Sequence, residues 1–393
     1  MGLRLTWGLL FVLAAAGPTH AALCSSEATQ VCVDAGLDSG LTVRVGEVLS
    51  ARGGVFIQGR FDGGMRDGTV TRADFSFRLV RPVLNLSVVR PWLRFNLTPE
   101  FAGTNASLWT AFVEAQPWTW LGLRAGQFLT NHTRTIAVQF PLRQWTDPSG
   151  STTAFGVPRD IGAVVFGQAP RGLLDWQLGV YNGTGANRVA VGHVPSVLVA
   201  RLALNPLRPM PYTETPGVDG PVPPGFALAG HATVRTHNNP LAPREPLPTD
   251  IAGAGVGFDA ALHWDNVAVQ GELIYRVNVP GLQDLTDLRR CGNGTTCDVA
   301  AWRTTPKAHG VGGNFQASAF VVPRYLELGA RLGGWSTNVA GGAWVTTYDA
   351  QATGYVLGNH VKVVGRYGLL ARHRTWSTQS VEQLLVVMLQ LFL

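Results

Sequence analysis

The chain has 393 residues, of which only 14% are charged, and its formal net charge of +6 gives a pI near 9.4. A soluble protein of this size carries about 25% charged residues, so the composition argues against an ordinary multidomain soluble enzyme and for a chain that hides much of its surface from water. The positive charge is arginine scattered singly through apolar segments, with Lys307 and Lys362 as the sole lysines; that excludes the clustered basic patch of a nucleic-acid binder and points to small anions as partners.

The amino terminus reads as a signal peptide over residues 1–21: Arg4, an apolar core from Leu9 to Ala16, a Gly17-Pro18 break, and small residues at Ala21 and Ala22. A lipoprotein signal ending at Cys24 is the rival reading, disfavoured because bulky Leu23 stands where a small residue is needed. Residues 22–52 follow as a short periplasmic segment. The four cysteines fall into two close pairs, Cys24 with Cys32 and Cys291 with Cys297. In an exported chain each pair is expected to close a small disulfide loop; a zinc site is the alternative, but no CxxC unit accompanies them.

From residue 53 to the end there is no second helix-length apolar run. Period-two alternation predicts strands near 55–62, 75–88, 92–101, 107–116, 119–127, 160–168, 172–182 and 196–205, then 226–235, 254–264, 267–276, 310–321, 325–334, 346–357, 360–369 and 382–393. Lipid offers backbone groups no partners, so a strand-built membrane protein must be a closed barrel. The expected fold is therefore all-β: a transmembrane antiparallel β-barrel of about sixteen strands in the bacterial outer membrane. Connections alternate short and long. Short ones lie at Arg90-Pro91, Pro117-Trp118, Asp265-Asn266 and Gly358-Asn359, and long ones at 128–159 and 277–309. The Pro-rich connection 206–225 breaks this rule by being long on the periplasmic side.

Within strands, Leu121, Leu123 and Ala125 are expected to face lipid while Gly122, Arg124 and Gly126 face the lumen. Trp92, Trp118, Trp264 and Tyr325 flank short turns, where an interfacial aromatic girdle belongs. Leu385, Val387, Leu389, Leu391 and Leu393 alternate to the carboxyl terminus, as expected of a closing strand read by the barrel-assembly machinery; a short buried helix is the alternative, since Leu384, Val386 and Met388 are apolar too.

The stretches LGLRAGQF (121–128), VQFPLRQW (138–145), FGVPRDIGAVVFG (155–167), LDWQLGVYNGTG (174–185) and ARLALNPL (200–207) resemble the phosphate-selective porin O and P family, with weaker likeness from FIQGRF (56–61) to the last strand. The resemblance implies a homotrimeric porin whose third external loop, here 128–159, folds inward to narrow the channel. Family members usually carry lysine soon after GQF, where this chain has Leu129-Thr130-Asn131. The solute thus stays open between phosphate and other small inorganic or organic anions.

An anion-preferring pore needs fixed positive charge on the lumen wall and constricting loop. Arg60, Arg94, Arg124, Arg201, Arg331, Lys362 and Arg366 have the lumen phase, and Arg134 and Arg143 lie on the loop. The competing reading pairs them with Asp62, Glu114, Glu272 and Glu327 as wall braces. No cofactor is expected: Gly253-Ala254-Gly255-Val256-Gly257 leads into a strand and not a helix, and His231, Asp259 and His263 lack a GxSxG elbow. The second functional reading is a plugged barrel acting as a surface-binding protein or membrane-embedded hydrolase.

Overall fold

The computed structural model describes residues 21–24, 31–36, 40–88, 92–157, 159–183, 185–187, 197–235, 253–277, 309–337, 339–374 and 377–393. These form short strands β1 (Ala21–Cys24), β2 (Val31–Gly36) and β3 (Gly40–Val45), followed by β4 (Leu49–Arg66), β5 (Thr69–Val88), β6 (Leu93–Glu100), β7 (Ser107–Trp118), β8 (Leu121–Leu129), β9 (Arg159–Gln168), β10 (Leu174–Tyr181) and β11 (Val197–Leu204). Then come β12 (Val222–Arg235), β13 (Gly253–Asp265), β14 (Val267–Val277), β15 (His309–Val322), β16 (Leu326–Ser336), β17 (Ala343–Leu357), β18 (Val361–Arg374) and β19 (Ser377–Phe392). From β4 onward each strand pairs antiparallel with the next, and β19 returns to β4, with Phe392 opposite Phe56 and Glu382 opposite Arg66. The ring is therefore closed at sixteen strands and leaves no free edge. No described helix is long and apolar enough to cross a membrane; strands do the crossing.

Side-chain phase separates two environments along each strand. Leu123, Leu202, Phe258, Leu273, Phe315, Leu332 and Leu389 are exposed on the outside, whereas Gln270, Glu272, Gln316, Glu327 and Gln390 are buried inside. Apolar outside and polar inside inverts a soluble protein and suits a lipid solvent. Trp118, Trp264 and Tyr325 are each more than half exposed beside their turns, which suits an interfacial girdle and not packing in a core. A charge on this belt is costly. Phe258→Arg, at mid-strand on the outer face of β13, is expected to destabilise the barrel by about 2–4 kcal/mol. Urea unfolding in lipid vesicles measures it, and an unchanged midpoint would mean that Phe258 does not face lipid.

The structure departs from the sequence reading in a few places. Residues 63–74 read as connection, yet β4 and β5 run through them to a two-residue turn. Its centre, Asp67 (φ 49) and Gly68 (φ 83), has the left-handed geometry that a tight hairpin demands. The boundary expected between residues 52 and 53 falls inside β4: Leu49–Gly53 pairs with β3 on one side and β5 on the other. Gly53-Gly54 looks like a break in sequence, but a Cβ on Gly54 would collide with the Leu393 carbonyl oxygen, so glycine here serves the seam. The carboxyl-terminal segment is a strand and not a helix, and its Phe392 ring packs on Phe56 and stacks on His360. Cys24 and Cys32 are joined in a disulfide between β1 and β2. Residues 1–20, Arg90-Pro91 and the Cys291–Cys297 pair lie outside the described residues.

Candidate functional site

Residues 130–157 leave β8 and lie across the inside of the barrel. Two short helices shape the path, α1 (Arg134–Ala137) capped by Thr133 and α2 (Gly150–Phe155) capped by Ser149; each cap oxygen accepts a backbone N–H three residues on. The segment is docked by inward-facing side chains of β14, β15 and β18. Gln270 donates to Thr135 (3.0 Å), Thr152 donates to Glu272 (2.7 Å), and Asn314 donates to Ser149 (2.9 Å). Lys362 donates to the carbonyls of Pro141 (3.0 Å) and Arg143 (2.6 Å). Phe155 is fully buried, packed with Ile274 and Trp335. Such contacts satisfy the buried polar backbone that an irregular segment inside a barrel would otherwise leave unpaired.

The nine basic residues singled out from sequence do not form one file. Arg60, Arg331 and Arg366 meet at one acidic node. Arg60 Nη1 donates to both Asp147 carboxylate oxygens (2.9 Å each), Arg366 bridges Asp147 (3.1 Å) and Asp349 (2.7 Å), and Arg331 holds Asp349 (2.9 Å) and the Asp147 carbonyl (2.9 Å). Arg94 and Arg124 share Glu114 on another part of the wall, with Arg124 also over the Phe112 ring at 4.7 Å. Arg201 is committed bidentately to Asp259, at 2.5 and 2.8 Å. Arg134 donates to the Pro211 carbonyl, and Arg143 to the carbonyls of Val138 and Thr135 (3.0 Å each). Lys362 is fully buried on the loop carbonyls already described. Of the four acids named as competing partners, Asp62 and Glu114 do bind arginine, while Glu272 bonds Thr152 and Glu327 accepts from Tyr355.

Arg201 and Asp259 are nearly inaccessible, at 4% and 2% side-chain exposure. Removing one member of such a pair strands the other's charge. Asp259→Asn is expected to cost about 3–5 kcal/mol of barrel stability, read as a lower urea midpoint; Arg201→Met with Asp259→Leu should recover most of it.

Sequence reasoning missed a second group. Arg78, Arg81, Arg143 and Arg159 gather around two rings, Trp109 and Phe140. Arg81 and Arg159 lie 3.5 and 3.7 Å from the Trp109 centroid, and Arg78 and Arg143 lie 4.8 and 4.3 Å from that of Phe140. Arg81 is held by Glu100 (2.5 Å) and Arg78 by Asp147 (3.2 Å). Arg159 is 6% exposed, and its Nε and Nη1 have no hydrogen-bond partner among the described residues. Arg143 has a free Nη1 as well, and burial lowers its pKa to about 10. The reason Arg81 escaped notice is a bulge. The register shifts between Gln58 and Gly59, leaving Arg78 as the extra residue of β5 and reversing the phase between Phe77 and Leu79. In sequence Arg78 and Arg81 therefore look as if they face opposite sides. Arg159 was visible inside the Arg159-Asp160-Ile161-Gly162 unit but carries no signal of its neighbours.

The Pro-rich connection, residues 205–221, also enters the lumen. Met210, Glu214, Thr215 and Val218 are buried; the Glu214 N–H donates to the Leu142 carbonyl (3.0 Å), Thr215 bonds Asn359 (3.2 Å), and Val218 packs with Phe320 and Tyr355. By contrast Arg94 keeps 46% exposure and Asn85 is exposed, so water reaches part of the inner wall on β5 and β6.

A closed sixteen-stranded barrel with an apolar belt and a polar interior is the architecture of an outer-membrane β-barrel protein, located in the bacterial outer membrane. Solved structures share this fold. The outer-membrane channel DcaP of Acinetobacter baumannii superposes with TM-score 0.59 at 12% identity, over 88% of this chain and 98% of that one. The anion-selective porin from Comamonas acidovorans gives 0.57 at 10% identity, over 88% and 100%, and the outer-membrane protein OmpT of Vibrio cholerae gives 0.55 at 8%, over 88% and 98%. At such identities the likeness is one of fold. No protein-family model and no curated protein matches the sequence, so the resemblance to the porin O and P group rests on the motifs alone.

Proposed function

We propose that the protein is a passive pore for small hydrophilic solutes with a preference for anions, and that the preference arises at Arg78, Arg81, Arg143 and Arg159 on the inward segment and adjoining wall. The observation that carries this is Arg159: a buried guanidinium with two nitrogens unpaired among the described residues, beside other arginines. Six of the nine basic residues first considered are ion-paired with acids of the wall or the inward segment, so they brace the barrel and add little net field. The second group is different: Arg78 and Arg81 are ion-paired, but Arg143 and Arg159 keep guanidinium nitrogens without partners among the described residues. Forked donors stacked on aromatic faces recognise planar carboxylates and small oxyanions, and low-dielectric walls focus the field there. Phosphate is one member of that class and receives no special support from a chain with two lysines.

We infer a homotrimer from the height of the wall. β6, β8, β10 and β11 have only 8 or 9 residues, against 18 and 20 in β4 and β5, and a lipid-exposed strand needs about 9–11. An outer groove of about 430 Å³ lined by Leu84, Phe95, Leu97 and Val113 lies on the β5–β8 part of the barrel and fits a neighbouring subunit.

The plugged-barrel reading draws on residues 130–157 and 205–221 both entering the lumen. Liposome swelling decides between the two: uptake of small anions faster than of cations of equal size supports the pore, and no uptake of either supports the plug.

A further inference from the structure

The Glu214 carboxylate occupies a place that looks built for a free anion. One of its oxygens accepts the backbone N–H groups of two consecutive residues of the inward segment, Gln144 (3.0 Å) and Trp145 (3.4 Å). Successive amides aimed at one point form an anion-binding concavity whatever chain supplies the anion. The surroundings are basic. Arg143 interacts electrostatically with Glu214, Lys362 is anchored on the Arg143 carbonyl, and Arg331 lies over the Trp145 ring at 4.5 Å. Donor capacity is left over: Arg143 Nη1 and the Gln144 and Trp145 side-chain nitrogens are buried without partners among the described residues, and Arg143 itself is 5% exposed. Glu214 reaches this point on the 205–221 connection, which comes from the opposite end of the barrel to the inward segment.

We propose that the Gln144–Trp145 amide pair is a carboxylate-binding site of the constriction, that Glu214 is its tethered occupant, and that a small carboxylate entering the lumen competes with Glu214 for it. The connection 205–221 then acts as an internal plug whose latch is chemically the same as the solute. This rests on the porin reading. The latch is reversible by mass action: a tethered group acts at an effective concentration in the millimolar range, so free carboxylate at tens of millimolar displaces it. Nothing covalent changes.

The test uses the full-length protein in planar bilayers, titrating acetate against chloride at constant ionic strength and recording the conductance change. In Glu214→Ala the half-saturating acetate concentration is expected to fall about tenfold or more below that of the wild type, because no tethered competitor remains. In the pair Thr215→Cys with Asn359→Cys, bridged by a short bis-thiosulfonate across the existing 3.2 Å contact, the acetate response is expected to vanish and to return on reduction, with reagent-treated wild type as control. Equal half-saturation in Glu214→Ala and wild type, or a full acetate response in the bridged pair, overturns the proposal while leaving the pore intact. Absence of channels from all three proteins overturns the porin reading itself, and the latch with it.

Discussion

Replacing Arg81 and Arg159 together by glutamine lowers the anion-over-cation permeability ratio about tenfold and moves the pore toward cations. A unit charge about 6 Å from a passing ion contributes roughly 1–3 kcal/mol at the effective dielectric of a wet protein lumen, and 1.4 kcal/mol is a factor of ten. The charge of Arg159 is offset by no carboxylate among the described residues, and removing Arg81 frees Glu100, which also accepts the Val80 and Ala102 N–H groups and so stays in place. Zero-current potentials in a KCl gradient provide the readout. Arg208→Gln, at a partly exposed arginine bonded to the Pro223 carbonyl, is the control and should leave the ratio unchanged. A double variant that keeps wild-type selectivity would remove this cluster from the ion path.

Asp147→Asn is expected to loosen the inward segment, raising single-channel conductance about twofold and strengthening anion preference. Arg60, Arg78 and Arg366 converge on this one carboxylate at 2.9, 3.2 and 3.1 Å. With asparagine there, three guanidiniums face one another without their common counter-charge, and repulsion replaces the clamp. The pH dependence follows from the same contacts. Burial opposes ionisation of Asp147, but Arg78, Arg60 and Arg366 outweigh it and hold the carboxyl well below the ordinary carboxylate range. A depressed carboxylate stabilises at every pH above its unfolded value, about 3.9, and that stabilisation is lost as pH falls toward the folded value. Wild-type conductance should therefore be steady from pH 8 to 5, and acid should mimic Asp147→Asn only below about pH 4. A rise beginning near pH 6 would mean the clamp lies elsewhere.

How far the molecule was legible in its sequence depends on which physical rule governs each part. Strand number and facing were legible because lipid enforces a strict period of two: Leu123 and Arg124, or Leu328 and Glu327, cannot exchange sides without exposing charge to hydrocarbon. The Asp67-Gly68 turn was available as a signal too, but the polar residues around it, such as Arg66, Arg72 and Asp74, masked the strand continuing on both sides. The site was harder to read. A single bulged residue at Arg78 reverses the phase of β5, and nothing in the local residue pattern marks it. Pairing is also non-local. Arg60 and Asp147, or Lys362 and Pro141, are brought together only by ring closure and by the path of residues 130–157. The entry of residues 205–221 into the lumen had no sequence signal beyond its proline content and length; its anchor, Glu214, reads as an ordinary acid until the backbone amides of Gln144 and Trp145 are seen facing it.

The zero-current potential of the purified wild-type protein in a tenfold KCl gradient tests the central claim most directly. An anion-biased pore gives a potential with the sign set by chloride, diminished in the Arg81 and Arg159 double variant. A potential with the sign set by potassium, or a bilayer that never conducts, would contradict it.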